Sequence, residues 1–304
     1  MNLDNMSVAT ETADVYCLDT RMFDVDSYGS VYIIDREPAL VVDTGTGQNI
    51  DRLYAALSQL GVERDDEIAV LLTHVHLDHA GGAGRLLQQY PEACVYVHEQ
   101  GYEHLVTPET LVAGTKAAVG DQWRYYTPPI SIDPARLRVL PVGESVQIGE
   151  STIELIAAPG HAPHQIMFYD VATDILFTGD AFGIYIPSQD NIRETTPPAQ
   201  FDLERNLTDV RCIETIEPTR VCFGHFGSTT FVHTQAESYR RQLIEWVEAV
   251  RQQRAAQADD EAVIQHFVST IDSPYTWTAE RDRAEARINT KGVLGYLDRK
   301  QSPN

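Results

Sequence analysis

An apolar run that ends in a cluster of histidines sets the strongest constraint on this chain. Residues 71–84 read LLTHVHLDHAGGAG, so three histidines and an aspartate fall within six positions, shortly before three glycines. The preceding segment EIAVLLT, residues 67–73, is a continuous apolar run typical of a buried strand. Glycines let the chain turn tightly after such a strand. The pattern therefore predicts a strand whose end presents imidazole and carboxylate groups in one short loop.

These side chains are the types that bind metal ions. His74 and His76 stand two positions apart at the predicted strand end, so their side chains are expected to point to the same side. Asp78 and His79 follow in the turn. Neutral imidazoles and a carboxylate held in one short loop are ligands for a borderline cation such as zinc.

Three more polar residues follow apolar strands in the same manner. His161 follows ELIAAPG, Asp180 follows DILFTG and His225 follows RVCFG. Each comes directly after a glycine, where a backbone can turn close to another group. Together with the first cluster they make seven candidate ligands, the number expected for two metal ions that share one bridging carboxylate.

Further short patterns place these loops in an alternating arrangement of strands and helices. SVYIID and ALVVDTG, joined by REP, predict a β-hairpin. IDRLYAALSQLG predicts a helix, because apolar residues recur at helical spacing and a glycine ends the run. We expect residues 1–233 to form one domain, with residues 100–135 as an inserted cap, and residues 234–304 to form a helical extension.

Five separated motifs resemble those of the metallo-β-lactamase superfamily in order and spacing. They are VVDTG at 41–45, HVHLDH at 74–79, PGH at 159–161, TGD at 178–180 and GHFG at 224–227. The resemblance spans roughly residues 15–230. PGHAPHQIMFYD, LFTGDAFGIY and TPPAQFDLE look most like a glyoxalase-II-like branch. The resemblance implies an α/β (α+β) fold, an αββα sandwich with metals at one edge of its two sheets.

The resemblance also implies a role for each ligand. One set would hold a first metal, a second set would hold another, and one carboxylate would bridge them. The cofactors implied are two Zn²⁺ ions, with Fe or Mn as alternatives. The two sets are His74, His76 and His161, then Asp78, His79 and His225, and the bridge is Asp180.

Residues around the ligands receive less specific assignments. Asp43 is expected to orient the ligand loop, a task that such sites require, although a carboxylate that only caps a turn fits as well. His164 and Tyr185 are candidates for substrate contact, and packing roles remain open for both. Tyr28 and Phe182 are further candidates for the pocket, as is the aromatic segment DQWRYYTPP of the cap.

The ligand set predicts hydrolysis. Two divalent ions about 3.5–4 Å apart can share a water molecule and lower its pKa toward neutrality. Asp78 or Asp180 can then pass a proton to the leaving group. We expect a small acyl substrate, namely a thioester, lactone or ester. The alternatives are a persulfide dioxygenase with one iron and a phosphodiesterase or nuclease. His76 argues against the flavodiiron branch, which usually has glutamate there.

The charge of the chain limits its partners. The 304 residues carry 45 Asp and Glu against 23 Lys and Arg, a formal net charge of −22, and contain only three lysines. This balance disfavours nucleic acid, because phosphate binding needs a basic face. It also favours an acidic surface of the halophilic type, on which salt screens self-repulsion.

Other features concern compartment and assembly. No apolar run reaches the roughly 20 residues of a membrane span, and the acidic amino-terminal segment is unlike a secretory signal, so we expect a cytoplasmic protein. The four cysteines are scattered and are expected to be reduced. The helical extension can form a wall of the substrate pocket, the contact of a homodimer, or both.

Overall fold

The first half of the chain forms a seven-stranded sheet whose strands follow one another in sequence order. The structure is a computed structural model that describes residues 8–12, 14–257, 259–271 and 277–301. Strands β1 to β4 pair antiparallel, and β4 to β7 pair parallel. The predicted hairpin is confirmed as β3 and β4. The strands are β1 (Val8–Thr10), β2 (Val15–Asp19), β3 (Ser30–Ile34), β4 (Ala39–Val42), β5 (Ile68–Leu71), β6 (Cys94–Val97) and β7 (Leu137–Val139).

A six-stranded sheet from the second half lies against it, in the order β15-β14-β11-β10-β9-β8. Its pairs are antiparallel except for β11 with β14. A separate hairpin is formed by β12 (Ile184–Ile186) and β13 (Asn191–Arg193). The six strands are β8 (Ser145–Ile148), β9 (Ser151–Ala157), β10 (Ile166–Asp170), β11 (Ile175–Gly179), β14 (Arg220–Phe223) and β15 (Ser228–Thr230).

Nine α-helices of the described residues cover the two sheets. The helices are α1 (Ile50–Gln59), α2 (Leu77–Ala80), α3 (Ala83–Gln89), α4 (Glu99–Val106), α5 (Glu109–Val119), α6 (Leu203–Ile216), α7 (His233–Ala256), α8 (Asp260–Ser269) and α9 (Ala279–Gln301). The predicted cap at 100–135 corresponds to α4, α5 and a 3₁₀ turn at Gly120–Tyr125.

Three apolar clusters separate these layers. One lies between the two sheets and includes Tyr32, Phe168 and Phe177. A second lies between the first sheet and helices α1, α3 and α4, and a third lies between the second sheet and helices α6 to α9. The resulting order is helix, sheet, sheet, helix, which is the αββα sandwich that the motifs implied.

The helical extension packs on the second sheet. On α7, the apolar residues Ala236, Tyr239, Leu243, Val247 and Val250 recur at three- and four-residue spacing and are buried. They share one cluster with residues of β11 and β14. The domain boundary at residue 233 therefore stays a prediction. Throughout the described ranges no helix is long and apolar enough to cross a membrane, and the four cysteines are free thiols.

Candidate metal centre and adjoining cavity

Four loops meet at one edge of the sandwich. They follow β5 of the first sheet and β9, β11 and β14 of the second sheet. The amide of Ile166 donates to the oxygen of Thr73 at 2.8 Å, which joins the β5 loop to the second sheet. The sequence suggested from similar strand ends that these loops lie together. In the structure, backbone contact between the two sheets brings them together.

All seven ligand candidates lie in this convergence. Their ligand atoms form three groups, within each of which the atoms lie no more than 4.8 Å apart. The groups are His74 with His76 and His161, then His74 with His79 and Asp180, and then Asp78 with His79 and His225. Six of the seven are buried or nearly so, and only Asp78 keeps a substantially exposed side chain, at 22%.

The contacts inside the cluster are close. His76 Nδ1 lies 3.0 Å from His74 Nε2 and 3.2 Å from His161 Nε2. Asp180 stands in the middle, because its carboxylate oxygens lie 3.3 Å from His79 Nε2, 3.4 Å from His161 Nε2 and 3.7 Å from His225 Nε2. That central position fits a bridging carboxylate.

The position of His74 and His76 differs from the expectation in one respect. Strand β5 ends at Leu71, so both residues lie in the loop beyond it rather than on the strand. Their rings still face each other, with centroids 4.6 Å apart. The loop conformation, and not strand alternation, brings them together.

The donor set fits a pair of metal ions. His79 Nε2 and Asp180 Oδ1 are buried and have no hydrogen-bond partner among the described residues. Buried polar atoms are almost always paired, so two such atoms facing one another indicate a missing partner. An imidazole and a carboxylate oxygen together are donors that a zinc-like cation accepts.

The electrostatics agree with that fit. Burial, reinforced by the neighbouring imidazoles, lowers the pKa of His74 well below its usual value. Burial also lowers the pKa of His161 to about 3. Burial would raise the pKa of Asp180, but His79, His225 and His161 outweigh it and hold that pKa far below its usual value. Neutral imidazoles and an ionised carboxylate are the forms that bind a metal. His79 differs from these residues, because Asp180 and Asp43 outweigh burial and raise its pKa, so it must lose a proton when a metal binds.

Asp43 supports the ligand loop from the end of β4. Its Oδ1 accepts hydrogen bonds from the amide of Thr73 at 2.8 Å and from the Thr73 hydroxyl at 3.0 Å. Its Oδ2 lies 2.9 Å from His79 Nδ1. These contacts are those expected of a residue that orients a ligand.

Two glycines allow the loops to approach one another. A Cβ on Gly224 would lie 2.6 Å from His79 Cε1 and 3.0 Å from Asp180 Oδ1. A Cβ on Gly160 would lie 2.2 Å from the backbone of Asn206 on α6. The glycines before His161 and His225, noted in the sequence, are therefore needed for close packing.

A cavity of about 540 Å³ opens on the cluster. Its wall is largely apolar and includes Leu111 and Val119 of α5, Tyr126 of the cap and Ile288 of α9. Lys291 Nζ of α9 donates to the oxygen of Ala118 at 3.3 Å and so ties α9 to the end of α5. Five ligand candidates also line the cavity, namely His76, Asp78, His161, Asp180 and His225.

One candidate for substrate contact and one candidate for the pocket line this cavity. His164 does so, with its Nδ1 3.4 Å from the amide of Val75, and burial lowers its pKa to about 2. Tyr28 also lines it, with its ring centroid 4.8 Å from that of His225. Contact between His164 and a substrate stays a prediction.

Tyr185 and Phe182 do not lie at the pocket, where the sequence predicted them. Neither residue lines the cavity. The Tyr185 hydroxyl donates to Asp190 Oδ1 at 3.0 Å, and its ring stacks on Phe223 at 5.1 Å between centroids. Phe182 is buried between Phe223 and Tyr239. The tight turn at Gly183, where φ is +78°, separates this segment from the site although it directly follows Asp180.

The cap aromatics are mostly packed against one another. Trp123 and Tyr125 join a cluster around Phe23, while Tyr126 reaches the cavity. Most of DQWRYYTPP is therefore a packed loop rather than a lining of the pocket.

Arg281 of α9 lines the cavity and was missed in the sequence. Its Nη2 donates to Glu285 Oε1 at 2.6 Å, and the same oxygen accepts from the Tyr28 hydroxyl. Burial would lower the pKa of Arg281, but Tyr28 and Glu285 outweigh it and the net shift is upward. The segment AERDRAEARI holds three arginines, and periodicity alone does not tell which of them meets the site.

Comparisons with known proteins agree with this architecture. Metallo-β-lactamase fold-containing protein ST1585 of Sulfurisphaera tokodaii is 30% identical over 204 residues, which cover 65% of this chain and 72% of that protein. The crystal structure of ST1585 superposes with a TM-score of 0.71 at 20% identity, covering 93% of this chain and 99% of that one.

Two further relatives carry names of hydrolases. The probable metallo-hydrolase YybB of Bacillus subtilis is 24% identical over 194 residues, covering 64% of this chain and 78% of that protein. An N-acyl homoserine lactonase of Bacillus thuringiensis is 26% identical over 181 residues, covering 58% and 62%. The family model described as the metallo-beta-lactamase superfamily matches residues 25–225. On this match, and on the fold and ligand geometry described above, the chain belongs to the metallo-β-lactamase superfamily.

Proposed function

We propose that this chain is a dinuclear, zinc-dependent hydrolase of small acyl substrates, namely thioesters, lactones or esters. The observation that carries the proposal is the cavity, whose largely apolar lining includes five of the ligand candidates. An apolar cleft with a few convergent polar groups is the usual form of a small-molecule site. The relative named as a lactonase and the glyoxalase-II-like motifs both support an acyl substrate.

The seven candidates would hold the two ions as the motifs imply. His74, His76 and His161 surround one position, Asp78, His79 and His225 surround the other, and Asp180 stands between them. Bound zinc would supply an activated water and polarise the substrate carbonyl.

The different exposure of Asp180 and Asp78 indicates different roles for the two carboxylates. Asp180 is 3% exposed and surrounded by three imidazoles, which stabilise its ionised form, so it holds the cluster together rather than carrying a proton. Asp78 is partly exposed to the cavity and lies 3.8 Å from His225. We assign proton transfer to the leaving group to the Asp78 carboxylate.

The apolar wall supports substrate binding by its acyl part. Leu111, Val119 and Ile288 come from α5 and α9, so the cap and the helical extension together enclose the substrate. Enclosure excludes water from the acyl group and strengthens the electrostatic interactions near the ligands.

Metal analysis combined with a substrate panel tests the proposal. We expect about two zinc ions per chain and turnover of thioesters, lactones or esters. The matched variants are His225→Ala, which removes a candidate ligand, and His233→Ala, which removes an exposed histidine that pairs with Glu217. Only the first should lower metal content and turnover.

Two outcomes would overturn it. About one iron per chain with consumption of oxygen would favour the persulfide dioxygenase. Turnover confined to phosphodiesters would move the chain to the nuclease branch.

A further inference from the structure

A buried arginine with unpaired donors lines the cavity. The side chain of Arg281 is 3% exposed, and its Nε and Nη1 have no hydrogen-bond partner among the described residues. A buried guanidinium normally has its donors paired, because leaving them unpaired opposes folding. The ion pair with Glu285 engages Nη2 alone.

The setting of Arg281 holds the guanidinium in place without using those donors. Its Cζ lies 4.3 Å from the ring centroid of Phe23 and 5.2 Å from that of Tyr28. An aromatic face engages the plane of a guanidinium, so its N–H groups remain free to bind within that plane. The group is thus fixed and still has donors to offer.

Arg281 also stands next to the ligand cluster. The main-chain oxygen of Tyr28 lies 3.0 Å from His225 Nδ1, and the ring of Tyr28 contacts Arg281. One residue therefore separates Arg281 from a candidate ligand of the second metal. A substrate whose carbonyl group reaches the ligands can extend to Arg281 within the same cavity.

The cavity lining holds two cationic side chains beside the carboxylates of Asp78, Asp180 and Glu285. The chain carries a net charge of −22 and three lysines, yet α9 contributes both Arg281 and Lys291 to this one cavity. Lys291 contacts carbonyl oxygens of α5, whereas Arg281 keeps unpaired donors. A guanidinium is well suited to bind a carboxylate through charge-assisted hydrogen bonds.

We propose that Arg281 binds a carboxylate of the substrate, so that the enzyme prefers acyl substrates whose acyl chain ends in a carboxylate. This inference rests on the proposed function, since it names the substrate class of the same site. Arg281 is then a specificity-determining residue. Glu285 positions it by accepting from Nη2, and the Tyr28 hydroxyl donates to the same oxygen of Glu285.

Two matched esters test the preference. One is the mono-4-nitrophenyl ester of glutaric acid, and the other is the same compound with its free carboxylate methylated. We expect the wild-type enzyme to prefer the acid by about tenfold in kcat/KM, and Arg281→Gln to bring the ratio close to one. The control is Arg287→Gln on the same helix, where Arg287 pairs with Glu261 away from the cavity, and it should keep the wild-type ratio.

A binding measurement separates this inference from the proposed function. Titration calorimetry with glutarate, on the metal-loaded protein, should give weaker binding for Arg281→Gln than for Arg287→Gln. If no thioester, lactone or ester is turned over but this difference holds, the proposed function fails and the carboxylate site stands. If esters are turned over without preference for the acid and glutarate binding is equal in both variants, the carboxylate site is overturned and the hydrolase stands.

A second variant guards against misfolding. Arg281→Gln leaves Glu285 without its cationic partner, so the double variant Arg281→Gln with Glu285→Gln keeps the buried pair neutral. It should show the same loss of preference, with the chain folded as judged by circular dichroism. A folded double variant that keeps the wild-type ratio overturns the inference.

Discussion

Asp43 Oδ2 lies 2.9 Å from His79 Nδ1, while His79 Nε2 lies 3.3 Å from Asp180 Oδ1. The imidazole is therefore held between two carboxylates, one that ends β4 and one that ends β11. Burial would lower the pKa of His79, but Asp180 and Asp43 outweigh it and raise that pKa well above its usual value. The orientation of this ligand candidate is thus fixed before any metal binds.

The first prediction follows from that contact. Asp43→Asn should lower metal affinity about 10–100-fold, because outer partners of ligating histidines contribute on this scale. Asparagine tolerates the backbone at this position, where φ is +63°. Competition with a chelator measures the change. Asp174→Asn, at another left-handed position in the β10–β11 turn, is the control and should leave affinity unaltered.

The second prediction concerns the central carboxylate. Asp180→Ala should abolish hydrolysis and release metal, because the carboxylate lies within 3.7 Å of three histidines. The chain should remain folded, since the apolar clusters between its layers do not include Asp180. Metal analysis, turnover and circular dichroism check these points. Full metal content with near-normal turnover would show that Asp180 does not bridge two metal ions.

A pH-dependent stability is expected from Asp209. Its carboxylate accepts from the amide of Gly160 at 2.7 Å, and burial raises its pKa from 3.8 to about 7. Between about pH 3.8 and pH 7 the folded chain therefore keeps a proton on Asp209 that the unfolded chain has lost. The stabilisation that comes from this proton is present at low pH and is lost as pH rises through about 7.

Asp209→Asn should remove that dependence. At about pH 8 the variant should exceed the wild type by up to about 4 kcal/mol, since each pKa unit between 3.8 and about 7 corresponds to 1.36 kcal/mol, and the difference should shrink toward about pH 5. Denaturant unfolding at both values measures it. A variant less stable than the wild type at the higher pH would show that the hydrogen bond to Gly160 outweighs burial.

Packing beside His161 gives a further prediction. Gly160→Ala should destabilise the chain by about 1–3 kcal/mol, because the new Cβ meets the backbone of Asn206. The matched change Gly114→Ala, in α5 with nothing within 4 Å of its Cβ, should stabilise by about 0.5–1 kcal/mol. Thermal unfolding compares the two. If both variants changed the stability equally, α6 would have to move to make room for the added methyl group.

Salt should stabilise the folded chain. The net charge of −22 makes the surface repel itself, and added ions screen that repulsion. The melting temperature is expected to rise steadily from low to molar KCl. A flat profile across this range would remove the argument for adaptation to high salt.

Much of the site could be predicted from the sequence because its ligands are marked locally. Each candidate follows an apolar segment, and each of the three isolated ones comes directly after a glycine, as with Gly160 before His161 and Gly224 before His225. Strand and turn preferences act over a few residues, so the hairpin of β3 and β4 and the amphipathic α7 were also predictable.

Only the tertiary structure decided which residues meet around the ligands. Tyr28 and Glu285 are 257 positions apart and share a hydrogen bond, which brings Arg281 to the cavity. Tyr185, five positions from Asp180, faces away because a turn at Gly183 redirects the chain. The amino-acid order specifies strand ends and their chemistry, whereas contacts between distant segments depend on how both sheets and α9 pack together. That packing minimises exposed apolar surface over the whole chain, and no local pattern encodes its outcome.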